Sequence, residues 1–279
     1  LKPDQYVVIG NPIAHSKSPA IHARFAELTG QQLDYQRLLA PLDGFASTVH
    51  DFIAKGGRGG NVTLPFKLEA FALATELSER AKIAGAVNTL KFEQGRVYGD
   101  NTDGIGLVAD IVRNAGISLR GKRLLLLGAG GAARGALLPL LQEQPASLTI
   151  ANRTLAKAQD LKDQVKSLSE GCELLACRFE DLQQPFDIII NATSASINDD
   201  VPPLAATVFG KDTLAYDMMY AAAPTAFLRL AASHGAQCRD GLGMLVEQAA
   251  EAFALWRGVR PPSAQVLAEM RATLQANQA

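Results

Sequence analysis

The sequence predicts an α/β protein of two units, each a mostly parallel sheet covered by helices. Short apolar runs of strand length alternate with helix-favouring stretches along most of the chain. One of these runs, Arg123 to Leu127, passes through a glycine cluster straight into an alanine-rich helix. The chain then closes with two helix-like stretches and no strand between them.

The segment RLLLLGAGGAARG, Arg123 to Gly135, organises the rest. Its leucines suit a strand buried on both faces and are too few to mark a helix by apolarity alone. Gly128-Ala129-Gly130-Gly131-Ala132-Ala133 fits the G-x-G-x-x-A dinucleotide fingerprint, whose glycines allow a tight turn and close backbone approach to a pyrophosphate. The phosphates would rest on the free N–H groups at the start of the following helix. Because strand, turn and helix occur together, a Rossmann-type nucleotide unit is the better reading than an ordinary strand-to-helix turn.

Ahead of it, YVVIG (Tyr6–Gly10) reads as a strand running into the loop NPIAHSKSP. Ser18 and Pro19 then suit the N-cap and first position of a helix that stops at Gly30. Leu33–Leu39 predicts a strand, Pro41–Ala54 a helix, and Gly60–Leu64 a third strand. Pro65 opens a helix over PFKLEAFALATEL with Lys67 in its first turn, and Ala86–Phe92 with Arg96–Tyr98 suggests a hairpin. Gly104–Asn114 has helical periodicity. From Arg123 the alternation becomes a regular βαβ series: SLTIANR, a helix from Thr154 to about Leu168, LLACR, FDIII and LAYDMM, closing near Gly241. Gly243–Trp256 and Ser263–Ala276 read as helices that return to the first unit. The expected division is therefore a substrate-binding α/β domain of residues 1–102 and 242–279, completed by the C-terminal helices, with a Rossmann NADP-binding domain of residues 103–241 inserted.

Composition narrows the function. Of 279 residues, 48 % are hydrophobic and 20 % charged, and 27 basic side chains face 28 acidic ones. That balance leaves no electrostatic footprint for nucleic acid or an anionic membrane, and no apolar run reaches bilayer length. Cys172, Cys177 and Cys238 show no metal-ligand spacing and cannot all pair, so a reducing cytoplasm and a site without metal are expected. The N-terminus carries no signal-peptide pattern; the chain reads as otherwise complete, although the start at Leu1 suggests that a short N-terminal piece is missing. A monomer or homodimer acting on a small molecule fits these features.

The residues able to carry chemistry fall in two groups. After the second strand of the nucleotide unit, where an NAD-specific site would place an acidic residue, the chain has Asn152-Arg153-Thr154 and, one turn on, Lys157. An arginine fork and a second cation attract a 2′-phosphate, which favours NADP over a merely solvated basic helix start. In the first unit, Ser16, Ser18, Asn61, Thr63 and Asn88 put hydroxyls and amides at strand ends, where several together could hold a polyhydroxylated ligand. Taken singly, Ser18 is a credible cap and Asn61 a credible turn residue. Lys67 and Asp103 are the ionisable pair: a lysine at a helix N-terminus sits in an unfavourable dipole field that eases proton release, while a carboxylate beside it would orient it and oppose that effect. A surface salt bridge is the alternative reading of the pair.

The segments GNPIAHSKSP, NVTLPFK, AGAVNT, NTDG, LLLLGAGGAARG, ANRT, NATS, YDMMY and DGLGMLVEQAA, in this order, resemble the shikimate dehydrogenase family nearly end to end. The resemblance implies NADP-dependent interconversion of 3-dehydroshikimate and shikimate on the route to chorismate and aromatic amino acids. It implies substrate binding by Ser16, Ser18, Asn61, Thr63, Asn88, Asp103, Tyr220 and Gln248, with Lys67 as acid/base beside Asp103. For NADP(H) it implies Gly128, Ala129, Gly130, Gly131, Ala132, Asn152, Arg153, Thr154 and Lys157, with Thr193, Met218 and Gly241 near the nicotinamide half. The chain departs from the family at Ala195-Ser196-Ile197, where a glycine is usual, at APTAFL, where a proline usually follows the threonine, and at Lys157, where many relatives have arginine. Two other readings stand beside this one: a quinate/shikimate dehydrogenase using NAD or both cofactors, and a non-catalytic NADPH-binding sensor on the same fold.

Overall fold

The computed structural model describes residues 2–195 and 199–276. The chain divides into two compact units, the first formed by residues up to Gly106 with Val246–Met270, the second by Leu107–Leu245 with residues from Arg271 on.

The first unit is built on β1 (Asp4–Gly10), α1 (Ser18–Thr29), β2 (Leu33–Leu39), α2 (Phe45–Ala54), β3 (Gly57–Val62), α3 (Lys67–Leu73), β4 (Glu76–Leu77), α4 (Glu79–Ala84), β5 (Thr89–Glu93) and β6 (Arg96–Asp100). Its sheet runs β2-β1-β3-β5-β6-β4, with β1 parallel to both β2 and β3 and with β5 antiparallel to β3 and β6. Alternation along β1 sends Val7 and Ile9 into one core with Phe45, Val49, Phe66 and Leu90, and Tyr6 and Val8 into another with Tyr35 and Trp256. Apolar side chains on both faces are what a central parallel strand requires. Trp256 comes from the helix α9 (Leu242–Arg257); its ring lies 4.7 Å from that of Tyr6, and its Nε1 donates to the Leu90 carbonyl at 3.0 Å. That indole explains one glycine of β3: a Cβ on Gly59 would lie 2.6 Å from the Leu90 carbonyl oxygen and 2.8 Å from Trp256 Nε1.

The second unit contains the end of α5 (Asp103–Ala109), then β7 (Arg123–Leu127), α6 (Gly131–Gln142), β8 (Ser147–Ala151), α7 (Leu155–Val165), β9 (Glu173–Cys177), β10 (Phe186–Asn191), β11 (Phe209–Asp217), α8 (Ala226–Ser233) and β12 (Gln237–Arg239). Its sheet is parallel throughout, in the order β12-β11-β10-β7-β8-β9. This is the doubly wound Rossmann order, with the reversal between β7 and β10. Leu125, Leu127, Ile189 and Ala215 pack one face of it against Phe227 and Ala231 of α8. A π-helical turn, Asp110–Asn114, follows α5 and holds a wholly buried carboxylate. Asp110 accepts from Arg239 Nε at 2.7 Å, Arg239 Nη2 at 2.6 Å, Tyr216 Oη at 2.8 Å and Asn114 Nδ2 at 2.9 Å. Gly243, in the first turn of α9, leaves the space this carboxylate occupies. The last helix is α10 (Ser263–Ala276).

Several expectations are corrected. Ser18 is the first residue of α1, Lys17 occupies the cap position, and no side chain caps the helix. The helix beginning near Pro65 is only α3: it stops at Leu73, and the expected stretch ends in β4; a separate helix, α4, capped by Ser78, follows it. The region missed its strand signal because β4 is two residues long and pairs only with β6. β3 begins three residues earlier than the glycine-poor part of its sequence suggested, and β11 begins at Phe209. β12 and α8 carried no clear pattern; in the APTAFL departure, Thr225 caps α8 by accepting from the Leu228 N–H at 3.3 Å. The departure at Ser196 and Ile197 lies outside the described residues. Among the described residues no helix is long and apolar enough to cross a membrane.

Removing one partner of a buried pair leaves an uncompensated charge. Arg239→Ala is therefore expected to cost about 3–5 kcal/mol, read as a lower urea midpoint.

Candidate functional site

The first unit's polar residues gather where its parallel strands end. The loops after β1 and β3 lie side by side, the Asn11 N–H donating to the Leu64 carbonyl at 3.1 Å and the Thr63 N–H to that of Ile9 at 2.9 Å. Ser16 stands in the first loop and accepts from the Ser18 N–H at 3.3 Å; Thr63 and Lys67 follow β3. Lys67 Nζ lies 2.5 Å from Asp103 Oδ2. Lys67 opens α3 and Asp103 opens α5; the Lys67 carbonyl accepts from the Val87 N–H at 2.9 Å, which ties the lysine's backbone to the segment carrying Asn88.

Asn88 is the hub. Its Nδ2 donates to Asp103 Oδ1 at 2.8 Å, Thr102 Oγ1 at 3.1 Å and Gln248 Oε1 at 3.3 Å. Its Oδ1 accepts from the Thr102 N–H at 2.8 Å and from Thr89 Oγ1 at 2.9 Å. Three acceptors share two amide hydrogens, so a ligand hydroxyl can gain one only by displacing the longest contact. Asn61, directly opposite Thr89 in the sheet, donates to Thr89 Oγ1 at 3.1 Å and accepts from Tyr35 Oη at 2.7 Å. Asn61, Asn88, Ser18 and Gln248 are all buried. Gln248 belongs to α9 and sits in the first unit with the others.

Behind this network His22 is completely buried, stacked on Tyr35 with ring centroids 4.2 Å apart, and neither ring nitrogen has a hydrogen-bond partner. Burial pushes its pKa down to about 3, against the opposing pull of the Asn61 amide. Burial likewise holds the Tyr35 hydroxyl well above its usual value, so it stays a donor.

The second unit carries a cleft of about 660 Å³ at the carboxyl ends of β7, β8 and β10, the position a doubly wound sheet offers a ligand. Gly128 through Ala132, Asn152, Arg153 and Thr193 line it. Gly128 has φ +102°, which favours glycine, and its N–H is held by the Ala151 carbonyl at 2.8 Å. No side chain caps α6, and nothing would lie within 4 Å of a Cβ on Gly130 or Gly131, so the cradle is open above the helix N-terminus. Thr193 is fixed by donating to Asn191 Oδ1 at 2.7 Å. Arg153 and Lys157 are exposed and, among the described residues, have no ion-pair partner. An uncapped glycine cradle with unpaired cations beyond the second strand fits a dinucleotide carrying an extra phosphate.

Thr154, Lys157, Met218 and Gly241 are not part of the cleft lining. Thr154 caps α7 only by position, and its carbonyl accepts from Asn152 Nδ2 at 2.9 Å. Gly241 packs against the Met218 backbone, where a Cβ would collide, and its N–H is held by the Met219 carbonyl at 3.0 Å. Tyr220 is half-buried; burial, with the Asp240 carboxylate nearby, raises its pKa. The sequence reading missed Phe179, Ala192, Ser194 and Met219 in the cleft, and Tyr35, Thr89 and Thr102 in the polar network. NATS and NTDG contain three of these, but their roles depend on which strands become neighbours. Among the described residues no group of His, Cys, Asp or Glu could hold a metal ion.

A Rossmann unit with a phosphate cradle, joined in one chain to an α/β unit centred on a lysine–aspartate pair, defines an NADP-dependent dehydrogenase. Residues 8–90 match the family model for the shikimate dehydrogenase substrate binding domain, 110–198 that for shikimate / quinate 5-dehydrogenase, and 241–275 that for the shikimate 5′-dehydrogenase C-terminal domain. The shikimate dehydrogenase (NADP(+)) of Herminiimonas arsenicoxydans is 64 % identical over 97 % of this chain and 98 % of its own length. A crystal structure of an enzyme from Pseudomonas putida is 53 % identical, covers 95 % of this chain and 97 % of that one, and superposes with a TM-score of 0.91. The Thermus thermophilus shikimate 5-dehydrogenase, crystallised with NADP(H) and shikimate, is 32 % identical over 96 % of this chain and 99 % of that one, at a TM-score of 0.83. The chain belongs to the shikimate dehydrogenase family.

The His22 environment has a consequence for stability. Its pKa is about 3 when folded against 6.5 as an ordinary histidine, so the unfolded chain binds the extra proton between these values. The corresponding stability is therefore present above pH 6.5 and lost as pH falls towards 3, by up to about 1.4 kcal/mol per pH unit. Urea unfolding of wild type and His22→Phe across this range is expected to show a difference in stability that shifts towards the variant as the solution is acidified.

Proposed function

We infer that this chain catalyses the NADP-dependent, reversible reduction of 3-dehydroshikimate to shikimate in chorismate and aromatic amino acid biosynthesis. The observation that carries the reading is the 2.5 Å contact between Lys67 Nζ and Asp103 Oδ2, set beside buried amides and hydroxyls. When bound, NADP supplies the hydride chemistry of the carbonyl–alcohol interconversion. Lys67 holds the proton that the developing alkoxide takes up on reduction and receives it back on oxidation. Asp103 orients the ammonium and is itself oriented by Asn88. Ser16, Ser18, Asn61, Thr63, Asn88, Tyr220 and Gln248 bind the substrate's hydroxyls and carboxylate; the resemblance to the family supports this assignment residue by residue.

Gly128 to Ala132 hold the pyrophosphate through backbone N–H groups, while Asn152, Arg153, Thr154 and Lys157 take the adenosine end and its 2′-phosphate. Thr193, Met218 and Gly241 serve the nicotinamide half. The protein works in the cytoplasm as a monomer or homodimer, a setting consistent with its three free cysteines.

Lys67→Ala is expected to lower kcat by about 10²–10⁴-fold with little change in shikimate affinity; unimpaired turnover in a steady-state assay would refute the acid/base role. Arg153→Ala is expected to raise KM for NADP about ten- to a hundredfold by removing charge-assisted hydrogen bonds. Its KM for NAD, which lacks the 2′-phosphate, should stay unchanged.

A further inference from the structure

The amides of Asn61 and Asn88 could each be turned over without changing shape, exchanging donor for acceptor. In this protein their orientation is dictated from one end. The Asp103 carboxylate is placed as an acceptor for Lys67 and for an Asn88 N–H, and the backbone N–H of Thr102 can only donate. Together they fix Asn88 with Nδ2 towards Asp103 and Oδ1 towards Thr102. Thr89, wholly buried, gives its hydroxyl hydrogen to Asn88 Oδ1 at 2.9 Å, closer than its 3.3 Å approach to Thr102 Oγ1, which leaves its lone pairs for Asn61 Nδ2. Asn61 Oδ1 is consequently turned to Tyr35, whose hydroxyl donates at 2.7 Å. A single donor direction thus runs from Tyr35 through Asn61, Thr89 and Asn88 to Asp103, without a reversal.

Neither Tyr35 nor Thr89 has a place in the chemistry described above, yet each completes the hydrogen bonding of an amide whose orientation the Asp103 end dictates. We propose that Tyr35 and Thr89 are positioning residues: they hold the amides of Asn61 and Asn88 in place, and so keep the groups presented to substrate and to the Lys67–Asp103 pair aligned. The proposal rests on the shikimate dehydrogenase reading of the site. Because the network is ordered, the two ends differ in effect. Tyr35 acts on Asn61 and on Ser18 beside it, and therefore on substrate binding. Thr89 sits between both amides and acts on Asp103 as well, hence on turnover.

The test uses the purified full chain and steady-state oxidation of shikimate, varying shikimate and NADP separately. Tyr35→Phe, which keeps the ring and the His22 stack, is expected to raise KM for shikimate about tenfold with kcat changed by less than about twofold, as lost orientation of a binding group requires. Thr89→Val, of similar shape, should also lower kcat by about tenfold or more, whereas Thr89→Ser, which keeps the hydroxyl, should restore both to within about threefold. KM for NADP should stay within about twofold of wild type in all three. Wild-type kinetics in Thr89→Val, a Thr89→Ser as impaired as Thr89→Val, or a parallel rise in KM for NADP each overturns the proposal. Should Thr89→Val fail to fold, the decision falls to Tyr35→Phe, where an unchanged KM for shikimate overturns it. A wild-type chain inert on shikimate overturns the functional reading and this proposal together; an active wild type with indifferent variants overturns the proposal alone.

Discussion

Burying a polar group costs stability unless it is hydrogen-bonded, and the first unit depends on how Asn88 meets that cost. The residue is almost wholly enclosed, and its side-chain amide touches groups from β5, from the β6–α5 connection and from α9. Each contact has a steric or electronic reason to be there. Asp103 accepts the amide hydrogen and in turn receives Lys67, so the position of the cation is inherited from an uncharged side chain immediately before β5. Desolvation strengthens such bonds when all are made and penalises any that is missing.

The second unit solves a different problem with backbone instead of side chains. Its parallel sheet is apolar on both faces, and polar groups become available only where strands stop. Gly128 follows β7, Asn152 follows β8 and Thr193 follows β10, so a cradle, a basic edge and a hydroxyl converge at one end of three neighbouring strands. Asp110, with Arg239 and Tyr216, holds the opening and closing segments of the unit together through a single buried carboxylate. The π-helical turn and Gly243 are the local features that make room for it.

Much of this was legible in the chain. LLLLGAGGAARG contains a complete local explanation of strand, turn and helix, because each step depends on residues within a few positions. Lys67 and Asp103 were identifiable as candidates by residue type, and their contact awaited the fold, since 36 residues separate them. Short or glycine-rich elements were the least legible. β3 has a glycine, Gly59, where Trp256, nearly two hundred residues later, requires room, and β4 is too short to show a period. Ser18 resembled a helix cap because serine often is one, and the loop geometry gave that position to Lys17 instead.

Sequence by itself determined the α/β class, the glycine turn after β7, the basic pair beyond the second strand and the set of residues able to carry acid/base chemistry. These follow from local conformational preference and chemical type, which a short stretch of chain already specifies. The tertiary structure decided the pairing of Lys67 with Asp103, the hub role of Asn88 and the direction of the hydrogen bonds from Tyr35 to Asp103. Strand order and burial made that decision: only when β3 and β5 become neighbours do Asn61 and Thr89 face each other, and only without water does each amide have to choose an orientation.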